Sequence, residues 1–321
     1  MIHSPRNCRH SYNSYNRAMV AVLLAVALHQ PPADGGLGRI LSRLSEEAEV
    51  LWRNAPHLLA TETLRQKVLV APPRFRPRAG EAALKPPPLQ YRDREIVSEY
   101  SFSSLRDSPE VLHELRSVST VDGKTVLSAK EARVALAAGV ASEDDLRKLQ
   151  MLRAFEQHTL AGHAVVDFGL VLLLFRKRSL PDYAFALERT SRIGSEPVTV
   201  LSFRQLRGEA ALTIFARKQA LRRPLDGEIW VRNWDLAPLR IVLWTVRSDE
   251  EREIRDEAVV SYEASPSGAL VPTRVEHHQH ADTVLVAEHL FEYSRFRRFS
   301  AETEIRFEPA PGEENPPPEK E

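Results

Sequence analysis

The chain has 321 residues, 43% apolar and 27% charged, ordinary proportions for a globular protein. Lys plus Arg balances Asp plus Glu at 44 each, so no global field draws nucleic acid or an anionic membrane. The one cysteine, Cys8, lies in a stretch expected to be removed, so neither a disulfide nor thiol chemistry is expected of the mature chain.

Arg6, Arg9 and Arg17 precede an uncharged run over residues 18–28, and Ala25-Val26-Ala27 supplies small residues at the positions a signal peptidase reads. The run is far shorter than the ~20 residues a spanning helix needs. Residues 1–27 are therefore expected to be a secretory signal peptide, no stable transmembrane segment is expected in the mature chain, and localisation is expected to be periplasmic or extracellular. Residues 28–70 read as an N-terminal helical segment. Apolar residues at Leu41, Leu44, Ala48, Leu51 and Trp52 form one stripe, which Asn54-Ala55-Pro56 ends. A second short element is expected over residues 61–70. Residues 71–90, with Pro72-Pro73, Pro77 and Pro86-Pro87-Pro88, read as a semi-rigid linker.

Alternation over residues 96–102 and 115–121 predicts strands, and Asp122-Gly123 marks a hairpin turn. Ser128 and Glu131 have capping-box spacing, and Ser142 with Asp145 opens a second helix. These helices, over residues 128–161, are expected to form an amphipathic pair on one sheet face. In the second, Leu146, Leu149, Leu152 and Phe155 are expected inside, with Arg147, Lys148 and Arg153 in water. The apolar run 164–175 holds one charge, Asp167, and reads as a strand buried on both faces. Further strands are expected over residues 198–206 and 211–216, and the acidic, proline-rich residues 308–321 read as a disordered tail.

Residues 226–299 read as a ladder of antiparallel strands. Ile254, Ala258, Val260 and Tyr262 alternate with Glu253, Arg255, Glu257 and Glu263. A four-residue loop at 265–268 would pair Ala264 with Ala269, Tyr262 with Val271, Ala258 with Val275 and Asp256 with His277, all on one apolar face. In the next hairpin, matching apolar faces requires an odd loop length around Asp282, which puts His289 on the face of His277. The expected fold is α+β: a large curved antiparallel sheet, an open or half β-barrel over residues 91–307, covered by the helix pair and carrying an N-terminal helical extension.

The segment Asp226-Gly227-Glu228-Ile229-Trp230-Val231, followed by Pro238-Leu239-Arg240-Ile241, resembles the strand-turn-strand of the periplasmic outer-membrane lipoprotein carrier family. The resemblance spans about residues 89–307. It implies an unclosed barrel lined with apolar side chains, lidded by helices, with capacity for an apolar ligand.

The expected ligand-lining residues are Val242, Trp244, Val260, Tyr262, Val271, Phe291 and Tyr293, with Asp256, His277 and His289 as a polar mouth. His277-His278-Gln279-His280 invites a metal, but on a strand His278 and His280 share one face and His277 takes the other, short of the three or four convergent ligands a zinc site uses. Asp256 with His277 and His289 could orient a base; the alternative is a polar cluster where the barrel meets water. Trp234, in a turn, is the tryptophan expected to meet a ligand or lipid surface. No nucleophile motif, phosphate loop or cofactor fingerprint is present, so no cofactor is expected. The expected function is an exported, non-enzymatic carrier of a lipid or lipidated protein. The alternative is an envelope protein that docks a partner through the N-terminal helix and proline spacer.

Overall fold

The structure is a computed structural model that describes residues 33–70, 88–160, 167–207, 213–216, 219–222, 224–249 and 252–298. The expected signal peptide, most of the proline linker and the C-terminal tail lie outside the described residues. No described helix is long and apolar enough to cross a membrane.

Eleven strands form one antiparallel sheet in the order β4-β3-β2-β1-β13-β12-β11-β10-β9-β6-β5. The strands are β1 (Leu58–Leu69), β2 (Tyr91–Leu105), β3 (Ser108–Val121), β4 (Lys124–Thr125), β5 (Tyr183–Ile193), β6 (Glu196–Gln205), β9 (Asp226–Arg232), β10 (Pro238–Asp249), β11 (Arg252–Ala264), β12 (Leu270–Ala281) and β13 (Val284–Arg298). A separate hairpin pairs β7 (Thr213–Ala216) with β8 (Gln219–Arg222). The large sheet ends at β4 and β5, so it is open rather than closed.

Its curvature follows from one short element. The 3₁₀ helix Phe168–Phe175 meets β3 at Gly169, whose N–H donates to Glu114 Oε1 at 2.7 Å. Near its other end Phe175 meets Phe203 of β6 edge to face, with ring centroids 5.0 Å apart. Strands β3 and β6 stand eight steps apart in the sheet order, roughly 38 Å if the sheet were flat at about 4.8 Å per step. A 3₁₀ helix of this length reaches only about 16 Å. The sheet must curl around it.

This segment corrects the expectation of a strand. A short, wholly apolar run is the pattern periodicity cannot assign, because a doubly buried strand and a buried helical turn look alike. Here the run is an insert against the curled sheet, buried except at the half-buried Leu173 and Leu174. The second correction is at residues 58–69, read as part of a helical segment with a short second element. They form β1, a central strand between β2 and β13. The alternation of Leu58, Ala60, Glu62, Leu64 and Gln66 on one side hid a strand because two of those five inward residues are polar.

Of the expected N-terminal stripe, Leu44, Ala48 and Leu51 are buried, while Leu41 and Trp52 are half-buried and Ile40 takes the inner position. Helix α1 (Ala33–Asn54) buries Ile40, Leu44, Ala48 and Leu51, which follow one another at i+4 and i+3 spacing. It packs on the 3₁₀ helix and over β12 and β5. Pro56 begins the 3₁₀ turn Ala55–His57 that leads into β1. Helix α2 (Ala129–Val140) starts at the expected capping box, with Ser128 and Glu131 bonded reciprocally. Helix α3 (Asp145–His158) is capped by Asp144 rather than Ser142.

The helix pair does not cover the ladder. It wraps the β2–β3 end of the sheet, with Leu136 and Ala137 of α2 against Leu59 and Leu115. The apolar face of the ladder is covered by α1 and the 3₁₀ helix. The expected facing of α3 is also reversed in part. Leu146 is 69% exposed, whereas Lys148 is buried and donates from Nζ to Ser104 O at 2.7 Å. The β2–β3 turn sets this rotation, because Asp145 accepts the backbone N–H of Arg106 and Asp107.

Register in the ladder keeps the expected parity but not the expected partners. Ala264 pairs with Leu270, and a bulge between Ser261 and Tyr262 moves the remainder so that Ala258 faces His277 and Asp256 faces Gln279. The loop after β12 has two residues, Ala281 pairing with Val284 across Asp282, whose φ is 53°. A bulge between Gln279 and His280 supplies the odd residue, and His277 then pairs with His289. Bulges conserved the buried face where loop lengths alone would have broken it.

Candidate functional site

The covered face carries an apolar field with two polar clusters sunk into it. Val260, Tyr262, Val271, Phe291 and Tyr293 are all buried there, within one core that also takes Ile241, Leu243, Ile229 and Val231. Val242 and Trp244 are not among them. Val260 pairs with Ile241, and Ala258 with Leu243, so Val242 and Trp244 point to the outer face and are only half-buried. The marker was in the sequence: Arg240 shares their parity, and a charge belongs outside. Trp234 sits in the β9–β10 turn, 70% exposed, with the Arg232 guanidinium 4.2 Å from its ring centroid.

This face is filled. Phe168 packs 5.0 Å from the His277 ring and 6.2 Å from the Phe291 ring, centroid to centroid. Leu172 N–H donates to the Tyr262 hydroxyl at 3.1 Å. None of four clefts of about 350 to 690 Å³ on the described residues is lined by Val260, Tyr262, Val271, Phe291 or Tyr293. A clamp ties the two covering segments together. Arg176, at the end of the 3₁₀ helix, donates from Nε and Nη2 to the two Glu49 oxygens of α1 at 3.1 and 3.0 Å, and lies 4.1 Å over the Trp52 ring.

The first polar cluster joins the three residues singled out in sequence, and it is buried rather than at a mouth. Asp256 is 5% exposed, His277 2% and His289 1%. Gln66 accepts Leu160 N–H at Oε1, 2.8 Å, which leaves its amide nitrogen facing His289 Nε2 at 3.3 Å. That nitrogen can only donate, so His289 carries its proton on Nδ1. His289 Nδ1 then donates to His277 Nδ1 at 3.3 Å, and His277 Nε2 donates to Asp256 Oδ1 at 3.3 Å. Gln279 Nε2 also donates to Asp256 Oδ1, at 2.7 Å. In this one-directional chain every ring nitrogen is engaged. Burial, reinforced by His277, pushes the His289 pKa down to about 3. Burial works against the Asp256 carboxylate, but His277, Gln279 and the nearby Arg247 hold it below its ordinary value.

The second cluster was not anticipated. Arg116 donates from Nε to Glu62 Oε1 at 2.8 Å and from Nη2 to Glu62 Oε2 at 2.8 Å, and it also binds Glu114 Oε2. Tyr100 Oη donates to Glu114 Oε1 at 2.8 Å, beside the Gly169 N–H. The guanidinium lies 4.7 Å from the Phe155 ring centroid and 5.3 Å from that of Tyr100. Glu62 and Glu114 are fully buried. Burial pushes Glu114 up to about 8, against the pull of Arg116. The available signal was parity: Glu114 and Arg116 alternate with Leu112 and Val118 on the buried side of β3.

Gly169 belongs to this cluster by necessity. A Cβ there would clash with Glu114 Oε1, sit 2.6 Å from Tyr100 Oη and lie 3.1 Å from Pro272 Cγ. Gly169→Ala is expected to destabilise by about 1–3 kcal/mol, as overpacking does. Thermal unfolding checks it, and an unchanged midpoint would show that the insert adjusts freely.

Neither cluster is arranged as a reaction centre. The His289 lone pair accepts from Gln66 and the His277 lone pair from His289, and both rings are buried. Among the described residues no group of three His, Cys, Asp or Glu side chains could hold a metal ion. His278 and His280 lie on the outer face as expected, their rings stacked 6.5 Å apart.

No protein-family model matches the chain, and no curated protein matches it. Solved structures are similar to it. A LolA superfamily protein from Nitrosomonas europaea is 12% identical, over 81% of this chain and 93% of that one, with a TM-score of 0.29. A DUF1329 family protein from Desulfovibrio piger is 11% identical over 80% and 92%, with a TM-score of 0.32. A domain described as an outer membrane lipoprotein-sorting protein, from Vibrio parahaemolyticus, is 9% identical over 80% and 91%, with a TM-score of 0.33. The chain itself is an α+β fold built on one large open antiparallel sheet.

Proposed function

We propose that this is an exported, non-enzymatic carrier that holds a lipid or lipidated protein on the covered face of the sheet. One observation carries the reading. The apolar face runs from β2 to β6, broken by the two buried polar clusters, yet the sheet is open, and its covering consists of two separate segments, α1 and the 3₁₀ helix, pinned to each other by Arg176 and Glu49. A filling of that kind can be exchanged for an apolar ligand, whereas a sealed core cannot.

The docking alternative is weakened by the same geometry, since the apolar stripe of α1 is spent on the core. Removing residues 37–88 would take away α1 and β1, so that deletion tests stability rather than docking.

The test uses the full mature chain and a synthetic triacylated lipopeptide, read by native mass spectrometry and thermal shift. Glu49→Ala, which opens the clamp, is expected to tighten lipopeptide binding several-fold while lowering the unliganded unfolding temperature. Absence of a bound species with both proteins would overturn the proposal.

A further inference from the structure

A cleft of about 350 Å³ lies between α3 and the β3–β4 end of the sheet, at the edge of the covered face. One helix face builds its wall. Arg147, Gln150, Met151, Ala154, Phe155 and His158 line it, with the i, i+3, i+4, i+7 spacing of a single stripe. From Arg147 to His158 that stripe runs about 16 Å along the helix axis. The opposite wall includes Val118, Val126 and Leu127. The cleft therefore follows the helix, with Val118, Val126, Leu127, Met151, Ala154 and Phe155 giving it an apolar side and Arg116 and Ser117 a polar one. Its depth ends on the Phe155 ring, which is buried and packs on Arg116.

The volume lies at the lower end of small-molecule sites, near 300 Å³. It has no room for the several chains of a lipidated protein terminus or for a helix. The charges choose the ligand's other end. Arg147 is exposed at the cleft margin, makes no ion pair among the described residues, and has Gln150 one turn away on the same face. Arg116, deeper in, is already paired with Glu62 and bonded to Glu114. The unspent cation is thus at the rim beside an amide donor, and the apolar surface runs away from it.

We propose that this cleft binds a single-chain anionic amphiphile, its carboxylate on Arg147 and Gln150 and its alkyl chain along Met151, Ala154 and Phe155. The site shares Arg116, Val118 and Phe155 with the edge of the covered face, but none of its lining residues belongs to α1 or the 3₁₀ helix. The interaction needs no movement of α1, unlike the exchange proposed above.

Isothermal titration of the full mature chain with dodecanoate, below its micellar concentration, tests it. Dodecanoate is expected to saturate one site, and dodecyltrimethylammonium, with the same chain and opposite charge, to bind at least about tenfold more weakly. Arg147→Ala is expected to weaken dodecanoate roughly fivefold and to narrow that difference. Ala154→Trp, at an exposed helix position facing the cleft, is expected to abolish binding; Ala154→Leu is the smaller filling variant should the tryptophan disturb folding. Glu49→Ala is expected to leave dodecanoate affinity unchanged. Three results would overturn the proposal: no saturable binding, equal affinity for both head groups, or dodecanoate binding that survives both Ala154 substitutions and responds to Glu49→Ala. The last would place the chain on the covered face instead.

Discussion

Arg116→Leu is expected to lower the unfolding free energy by about 3–5 kcal/mol, the loss seen when one partner of a buried ion pair is removed. Glu62 and Glu114 are both fully buried, and Arg116 is the cation that binds each of them. Leucine fills much of the same volume, so the loss comes from the stranded Glu62 carboxylate and the Glu114 carboxyl left without its donor rather than from a void. Urea unfolding followed by tryptophan fluorescence measures it. The cluster's non-additivity is the sharper test. Adding Glu62→Gln and Glu114→Gln to Arg116→Leu should recover a good part of the loss, because a neutral set no longer buries unpaired charge. A loss below about 1 kcal/mol for Arg116→Leu alone would mean that water reaches the cluster, against the burial seen here.

Stability is expected to form a plateau between pH 4.5 and 6.5 with a shoulder falling away on each side, set by two buried groups of opposite sign. His289 has its pKa depressed from 6.5 to about 3 by burial. The unfolded chain therefore takes up a proton that the folded chain refuses, and stability falls as pH drops from 6.5 towards 3. Glu114 has its pKa raised from 4.5 to about 8 by burial. Its contribution is complete below pH 4.5 and is lost as pH rises towards 8. Each group works at about 1.4 kcal/mol per pH unit within its window. Between 4.5 and 6.5 the two slopes cancel. From 6.5 to 8 Glu114 acts alone and removes about 2 kcal/mol, and from 4.5 to 3 His289 removes a similar amount. Glu114→Gln should flatten the alkaline shoulder and His289→Gln the acid one. Unfolding free energies measured across pH for the three proteins check this, and an alkaline shoulder that persists in Glu114→Gln would assign it to another group.

Much of the architecture was legible because it is local. The capping box at Ser128 and Glu131, the α1 stripe and the strict alternation of β11 each need only a few neighbouring residues. Parity was legible too: Val260, Tyr262, His277, His289 and Asp256 do share one buried face. The pairing partners were not, because bulges at Ser261/Tyr262 and Gln279/His280 insert residues where nothing in the composition marks them. Val242 and Trp244 were misplaced because β10 is apolar on both faces, leaving only Arg240 to tell them apart.

The amino-acid order by itself determined an α+β chain with a large antiparallel sheet, one buried face and a helix pair, since hydrophobic period and turn chemistry act over short spans. Tertiary structure alone decided what covers that face. Residues 168–175 are apolar on every side, so they satisfy a doubly buried strand and a buried 3₁₀ helix equally well. The choice falls to Glu114, Tyr262 and Phe203, which come from three distant strands and accept or pack the insert at once. Likewise Asp256, His277 and His289 are polar residues that a sequence places at a watery rim. The curl of the sheet, and hydrogen bonds from Gln66 and Gln279, put them in the interior with every nitrogen engaged.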